Sequence, residues 1–184
     1  MPGITQLIVL AVLAVLVAVL ATVAWRVARW SLRTRSVVAF KSAVSDLTAR
    51  AQATFDKAAE AIDSVRRGAV PAVEIAVDLG AALTAAEQLA AEARSLRSLP
   101  GGEAIRSAII EQLERAGRAL EMVQHGCGLL ATARGREHDP EALTEIKRGY
   151  LGLVHTRDEI ARQAVAAAAI PVTVPPLLAR RPAE

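Results

Sequence analysis

Residues 4–24 read ITQLIVLAVLAVLVAVLATVA, a run without a charged side chain in which only Thr5, Gln6 and Thr22 are polar. As an α-helix, these residues would span about 31 Å, close to the ~30 Å hydrocarbon core of a bilayer. The stretch WRVARWSLRTR follows at 25–35 and sets Arg26, Arg29, Arg33 and Arg35 around Trp25 and Trp30. Tryptophan favours the membrane–water boundary, and arginine is retained on the cytoplasmic side. The pattern predicts a single transmembrane anchor over residues 1–25 and a basic juxtamembrane segment over 26–35. Everything after that segment is expected in the cytoplasm, with the N-terminus outside.

A cleaved secretory signal is the competing reading. Such a signal has a basic start and an apolar region of ~7–15 residues. Here Met1, Pro2 and Gly3 bring no charged side chain, and the apolar run is longer. Ala21 and Ala24 are small enough for a cleavage site, but an uncleaved anchor fits the length better. A core helix of a soluble protein has no need of four arginines at one end and none at the other.

The formal net charge of +3 is unevenly placed. Beyond Arg35 there are eighteen basic and nineteen acidic side chains, a balance of −1, so the arginine cluster carries the excess. A nearly neutral domain lacks the basic face that binding to phosphate backbones requires, which argues against nucleic acid as a partner. The cluster itself suits the anionic headgroups of a lipid bilayer. Cys127 is the single cysteine, so no intrachain disulfide exists and a reducing compartment is expected. Arginine far outnumbers lysine, and alanine, valine and leucine dominate, a composition that points to a bacterial inner membrane.

No glycine or proline interrupts Ile4 to Arg67. From Val37 the apolar positions 37, 40, 44, 47, 51, 55, 58, 62 and 65 step by threes and fours, which predicts a helix with one buried seam. Ser31, Thr34 and Ser36 mark the place where a break from the membrane helix would fall. Gly68-Ala69-Val70-Pro71 ends this helix. A second helix is expected up to about Leu99, its seam made of Val73, Ala76, Leu79, Leu83, Ala86, Ala90, Ala93 and Leu96. Pro100-Gly101-Gly102 stops it. A third, from about Glu103 to Arg134, has the most regular seam: Ile109, Leu113, Ala116, Leu120, Val123, Cys127 and Leu130. Asp139-Pro140-Glu141 supplies the start signals of a fourth. Its expected seam is Leu143, Ile146, Tyr150, Leu153, Arg157, Ile160 and Ala164, and Pro171 ends it. The remaining Pro-rich tail, 170–184, should be extended.

Helices of similar length joined by short corners favour antiparallel neighbours. The expected fold is therefore all-α: a transmembrane helix followed by an antiparallel up-down-up-down four-helix bundle over 36–169. A long oligomeric coiled coil is the alternative. In the bundle, the corner after Leu99 and the tail would lie at the bilayer. Arg94, Arg97 and Arg106 at the corner and Leu177, Leu178, Arg180 and Arg181 in the tail would then add a weaker membrane contact.

Catalytic signatures are missing from the sequence. A di-iron bundle needs Glu-x-x-His pairs, and His125, His138 and His155 each lack a glutamate three residues earlier. Gly101-Gly102 lacks the lysine and spacing of a phosphate loop. Cys127, between Gly126 and Gly128 on a seam, suits packing, and burial would make its thiol unreactive. Arg157 interrupts the fourth seam. Either its stem packs with the guanidinium in water, or it forms a buried ion pair with Glu114 or Glu121. The expected function is that of a non-enzymatic, membrane-anchored scaffold or interaction module without cofactor or metal, working with a protein partner or a second copy. The alternative is a bundle with cofactor, metal or redox chemistry at Cys127 and the histidines.

Overall fold

The computed structural model of the protein describes the backbone of residues 3–97, 99, 101–132 and 140–172, and the side chains of these except 4–12 and 30–33. Among the described residues the structure is helical without strands, in four helices: α1 (Ile4–Arg66), α2 (Ala76–Ser95), α3 (Glu103–Thr132) and α4 (Pro140–Ala169). Two units are distinguished along the chain, 1–39 with 172–184, and Phe40–Pro171.

Helix α1 is 63 residues long and runs unbroken through Ser31, Thr34 and Ser36. The basic juxtamembrane residues 26–35 lie within this helix. The lack of any glycine or proline over this stretch removes the two residues that cost a helix most. Gly68 stops it in the left-handed region, at φ 70°. Its N–H donates to the Val65 carbonyl at 2.9 Å and that of Ala69 to the Ser64 carbonyl at 2.9 Å. These two bonds form a Schellman closure, which occupies carbonyls that the last turn leaves without partners.

The unit Phe40–Pro171 is built on the predicted α1 seam. Phe40, Val44, Leu47, Ala51, Phe55, Ala58, Ile62 and Val65 are all buried. Burial of each large apolar side chain contributes about 1.5–3 kcal/mol relative to leaving it exposed. In the third seam Ile109, Leu113, Ala116, Leu120, Val123 and Cys127 are buried, whereas Leu130 at its end is only half-buried.

Helix α2 is shorter than expected. Residues 71–75 form turns, in which Glu74 N–H donates to the Pro71 carbonyl at 3.0 Å. The first helical bond at this end runs from Leu79 N–H to the Ile75 carbonyl, at 2.9 Å. Ile75 is buried in place of Val73, which is 65% exposed, and Ala76 is exposed as well. At the other end Leu96 turns out of the helix at ψ 130°.

The α4 seam also differs from expectation. Leu143 is 37% exposed. The buried positions are Ala142, Ile146, Gly149, Leu153, Thr156, Ile160 and Ala167. Close packing against α3 explains the shift. A Cβ on Gly126 would lie 2.9 Å from the Ala142 carbonyl, and one on Gly149 would lie 2.6 Å from the Ala119 carbonyl. Backbones this close accept only small residues at 142, 149 and 126, so the contact is made by the residues that an apolar count overlooks.

Polar contacts link the helices in pairs. Between α1 and α2, Lys57 meets Asp78 at 3.2 Å and Arg50 meets Glu92 at 2.6 Å. Between α2 and α3, Arg94 meets Glu114 at 2.6 Å. Between α1 and α4, Lys41 Nζ donates to the Ala168 carbonyl at 2.7 Å, Arg157 meets Asp56 at 2.8 Å, and the Arg66 guanidinium lies 4.5 Å from the Tyr150 ring centroid. In both α1 pairings the residue numbers rise on one helix as they fall on the other. Exposed pairs of this kind contribute only about 0–1 kcal/mol each, so they report arrangement more than stability.

Candidate membrane interface

Helix α1 is the one described helix long and apolar enough to cross a membrane, and none of its most apolar window is buried. From Leu13 to Val27 the large apolar side chains are 54–64% exposed, in contrast to the fully covered core. That exposure separates this stretch from a core helix of the same chain. Before Trp25, Thr22 is neutralised locally: its hydroxyl lies 2.9 Å from the Ala18 carbonyl and 2.8 Å from that of Val19. A hydroxyl engaged in this way is tolerated where no water is available.

At the end of this stretch Trp25, Arg26, Arg29 and Arg35 are exposed on α1. The Arg29 guanidinium carbon stands 5.2 Å from the Trp25 ring centroid, one helical turn away. This cation–π contact holds a charge beside an aromatic ring that prefers the membrane boundary. The spacing of 25 and 29 places the two on one side of the helix, although spacing alone does not reveal the contact. Trp30 and Arg33 lie in α1, their side chains outside those described.

The second group of predicted membrane contacts is more involved with the protein itself. Arg94 is held by Glu114. Arg106 bonds Glu103 at 2.5 Å and donates to the Leu96 carbonyl at 3.1 Å. Arg97 is exposed. Leu177, Leu178, Arg180 and Arg181 lie outside the described residues.

His125 and His155 are exposed, and His138 lies outside the described residues. Among the described residues no three His, Cys, Asp or Glu side chains gather in a metal-binding group. Cys127 is buried, and burial pushes its thiol up to about 11 from 9.0. A rise of this size leaves about a hundredfold less thiolate near neutral pH. We expect the native protein to react with iodoacetamide at pH 8 at least tenfold more slowly than the urea-unfolded chain, as measured by mass spectrometry. The sign for stability follows: the fold loses free energy as pH rises from about 9 to about 11, because the unfolded thiol ionises first.

The Arg157 side chain is half-buried, and the hydrogen bonds its guanidinium makes are exposed ones to acids outside α3, not a buried pair with Glu114 or Glu121. Its side chain is 35% exposed and its partners are Asp56 of α1 and its neighbour Asp158. The Asp56 hydrogen bond, followed by that of Asp158, raises its pKa. Glu114 is engaged with Arg94 instead. The one seam arginine therefore ties α4 to α1. Because the pair is largely exposed, Asp56→Ala is expected to cost less than about 1 kcal/mol in thermal unfolding.

A cavity of about 550 Å³ opens beside the corner after α1. Aliphatic side chains line it, among them Val65, Val70, Leu130 and Leu143. Arg66 and Arg67 at its edge both pair with Asp63, at 3.2 and 3.3 Å. No nucleophile or acid–base pair faces this space among the lining residues. Comparison with known proteins gives no match: no family model, no curated protein and no solved structure is significantly similar to the chain.

Proposed function

We propose that this protein is a single-pass membrane protein whose α1 crosses the bilayer and continues into a cytoplasmic scaffold. The observation that carries the reading is the uncharged, exposed stretch of α1 ending at Trp25 and the arginines. Exposed apolar surface on this scale is costly in water, and its length and chemistry match a bilayer. Four arginines on one flank and none on the other favour an outside N-terminus and a cytoplasmic location for Phe40–Pro171 in a bacterial cell.

The helices after the anchor form an antiparallel up-down-up-down bundle in this reading. The opposed numbering of the α1–α2 and α1–α4 contacts supports it, as do the facing residues Gly126 with Ala142 and Gly149 with Ala119 on α3 and α4. The bundle works by presenting its surface to a protein partner or to a second copy, with no reaction of its own. The close approach of α3 and α4 at Gly126, Ala142 and Gly149 supports a structural role.

Alkaline carbonate extraction of membranes from cells expressing the full chain tests the anchor. The protein should stay in the pellet, and a variant lacking residues 4–24 should move to the supernatant. Release of the full chain at high pH would contradict the proposal.

A further inference from the structure

The arginines after the anchor are not spread evenly around α1. Arg26, Arg29 and Arg33 are spaced by three and four, which sets them on one face of the helix over a length of about 10 Å. Arg35 is nine residues after Arg26, about two and a half turns, and so lies on the opposite side. Trp30 follows Arg26 by four residues and shares its face. Trp25 stands at the edge, with the Arg29 guanidinium 5.2 Å from its ring centroid. The helix is continuous through all of these positions, so the spacing translates directly into a face.

Resting on the anchor proposed above, we infer that Arg26, Arg29 and Arg33 form a one-sided strip that gathers the phosphates of anionic phospholipids. Arginines at three successive backbone positions on one face favour several negative charges at once, and a guanidinium can take a phosphate with paired hydrogen bonds. Trp25 supplies flat apolar surface at the depth where the headgroups meet the acyl chains. Arg35, on the other side, contributes to the general charge but not to the strip. The anchor thereby sorts lipid: its basic side is enriched in acidic headgroups relative to the surrounding bilayer.

The chain carries a built-in reporter, because Trp25 and Trp30 are its only tryptophans. The full-length protein is reconstituted into vesicles of equal parts phosphatidylcholine and phosphatidylglycerol, with bromine on the acyl chains of one lipid or the other. Bromine quenches tryptophan on contact, and with both leaflets labelled the result does not depend on orientation. Brominated phosphatidylglycerol should quench about twofold more than brominated phosphatidylcholine. Raising the salt from ~0.1 to ~1 M, which shortens the screening length from ~10 to ~3 Å, should remove most of the difference.

The triple variant Arg26→Gln, Arg29→Gln, Arg33→Gln should quench equally with both lipids, whereas Arg35→Gln should keep the preference. Equal quenching in the wild type would overturn the strip while leaving the anchor intact. Loss of preference in Arg35→Gln to the same extent as in the triple variant would overturn it too, as a diffuse charge effect. No quenching by either lipid would instead refute the anchor itself.

Discussion

Gly149→Ala should destabilise the helical unit by about 3 kcal/mol, the upper part of the range for overpacking. The added methyl carbon would lie 2.5 Å from Val123 Cγ2, 2.6 Å from the Ala119 carbonyl oxygen and 3.1 Å from the Val123 backbone nitrogen. Rotation of Val123 relieves the first contact. The other two involve the backbone of α3, which moves only if the two helices separate along their length. Gly128→Ala is the counterpart. Gly128 is exposed within α3, with nothing within 4 Å of the added carbon. Alanine there should stabilise the helix by about 0.5–1 kcal/mol, because glycine loses more backbone entropy on folding. Urea unfolding in mild detergent, followed by circular dichroism, should shift the two midpoints in opposite directions. A neutral Gly149→Ala would mean that α3 and α4 do not approach as closely as described.

Leu120→Ala should cost about 2–5 kcal/mol in the same measurement. Leu120 is 1% exposed and sits between Ala116 and Val123, both fully covered, so little can move in to fill the space. Glu111→Ala removes an exposed carboxylate paired with Arg115 of the same helix, at 2.5 Å and one turn away. Its effect should stay within about 0.5 kcal/mol. Similar losses from the two variants would place the buried face of α3 elsewhere.

The α1 and α3 seams are readable because large apolar side chains carry them. Phe40, Leu47, Phe55 and Ile62 on α1, and Ile109, Leu113 and Leu120 on α3, repeat at helical spacing and are all buried. On α4 the same logic chooses Leu143, Tyr150 and Arg157, one residue beyond the buried Ala142, Gly149 and Thr156. Hydrophobicity alone does not show that α3 approaches closely there, since the determining feature is the absence of side-chain volume. The regular repeat of 142, 149 and 156 is nevertheless present in the sequence. Residues of low volume seven apart, with Ala142 opposite Gly126 and Gly149 opposite Ala119 of α3, are the signal that finds them.

The corner after α1 is partly legible. Gly68 marks the stop, and its positive φ explains the choice of glycine. The delay of α2 to Ala76 is not legible, because Val73 continues the apolar spacing even though the chain is still turning. Buried Ile75, two residues on, takes its place in the core.

The candidate site is legible in kind, as an apolar run closed by tryptophan and arginine. What the structure adds is continuity. With no break at Ser31, Thr34 or Ser36, the arginines belong to one helix and have defined faces. Arg157 shows the opposite case, in which the sequence marks an odd residue without revealing its partner. Asp56 is 101 positions away in the chain, a distance no local pattern spans.

Two-sided thiol labelling tests the membrane reading most directly. Cysteine is placed at Pro2→Cys in one variant and at the exposed Ala104→Cys in another. Ala104 is preferable to Gly101, whose φ of 85° would strain any side chain. The native Cys127 adds little background, being buried with its thiol pushed up to about 11. A membrane-impermeant maleimide applied to intact spheroplasts should label position 2, and should reach position 104 only after the membrane is opened. Labelling of position 104 in intact spheroplasts would contradict a cytoplasmic bundle behind an N-outside anchor.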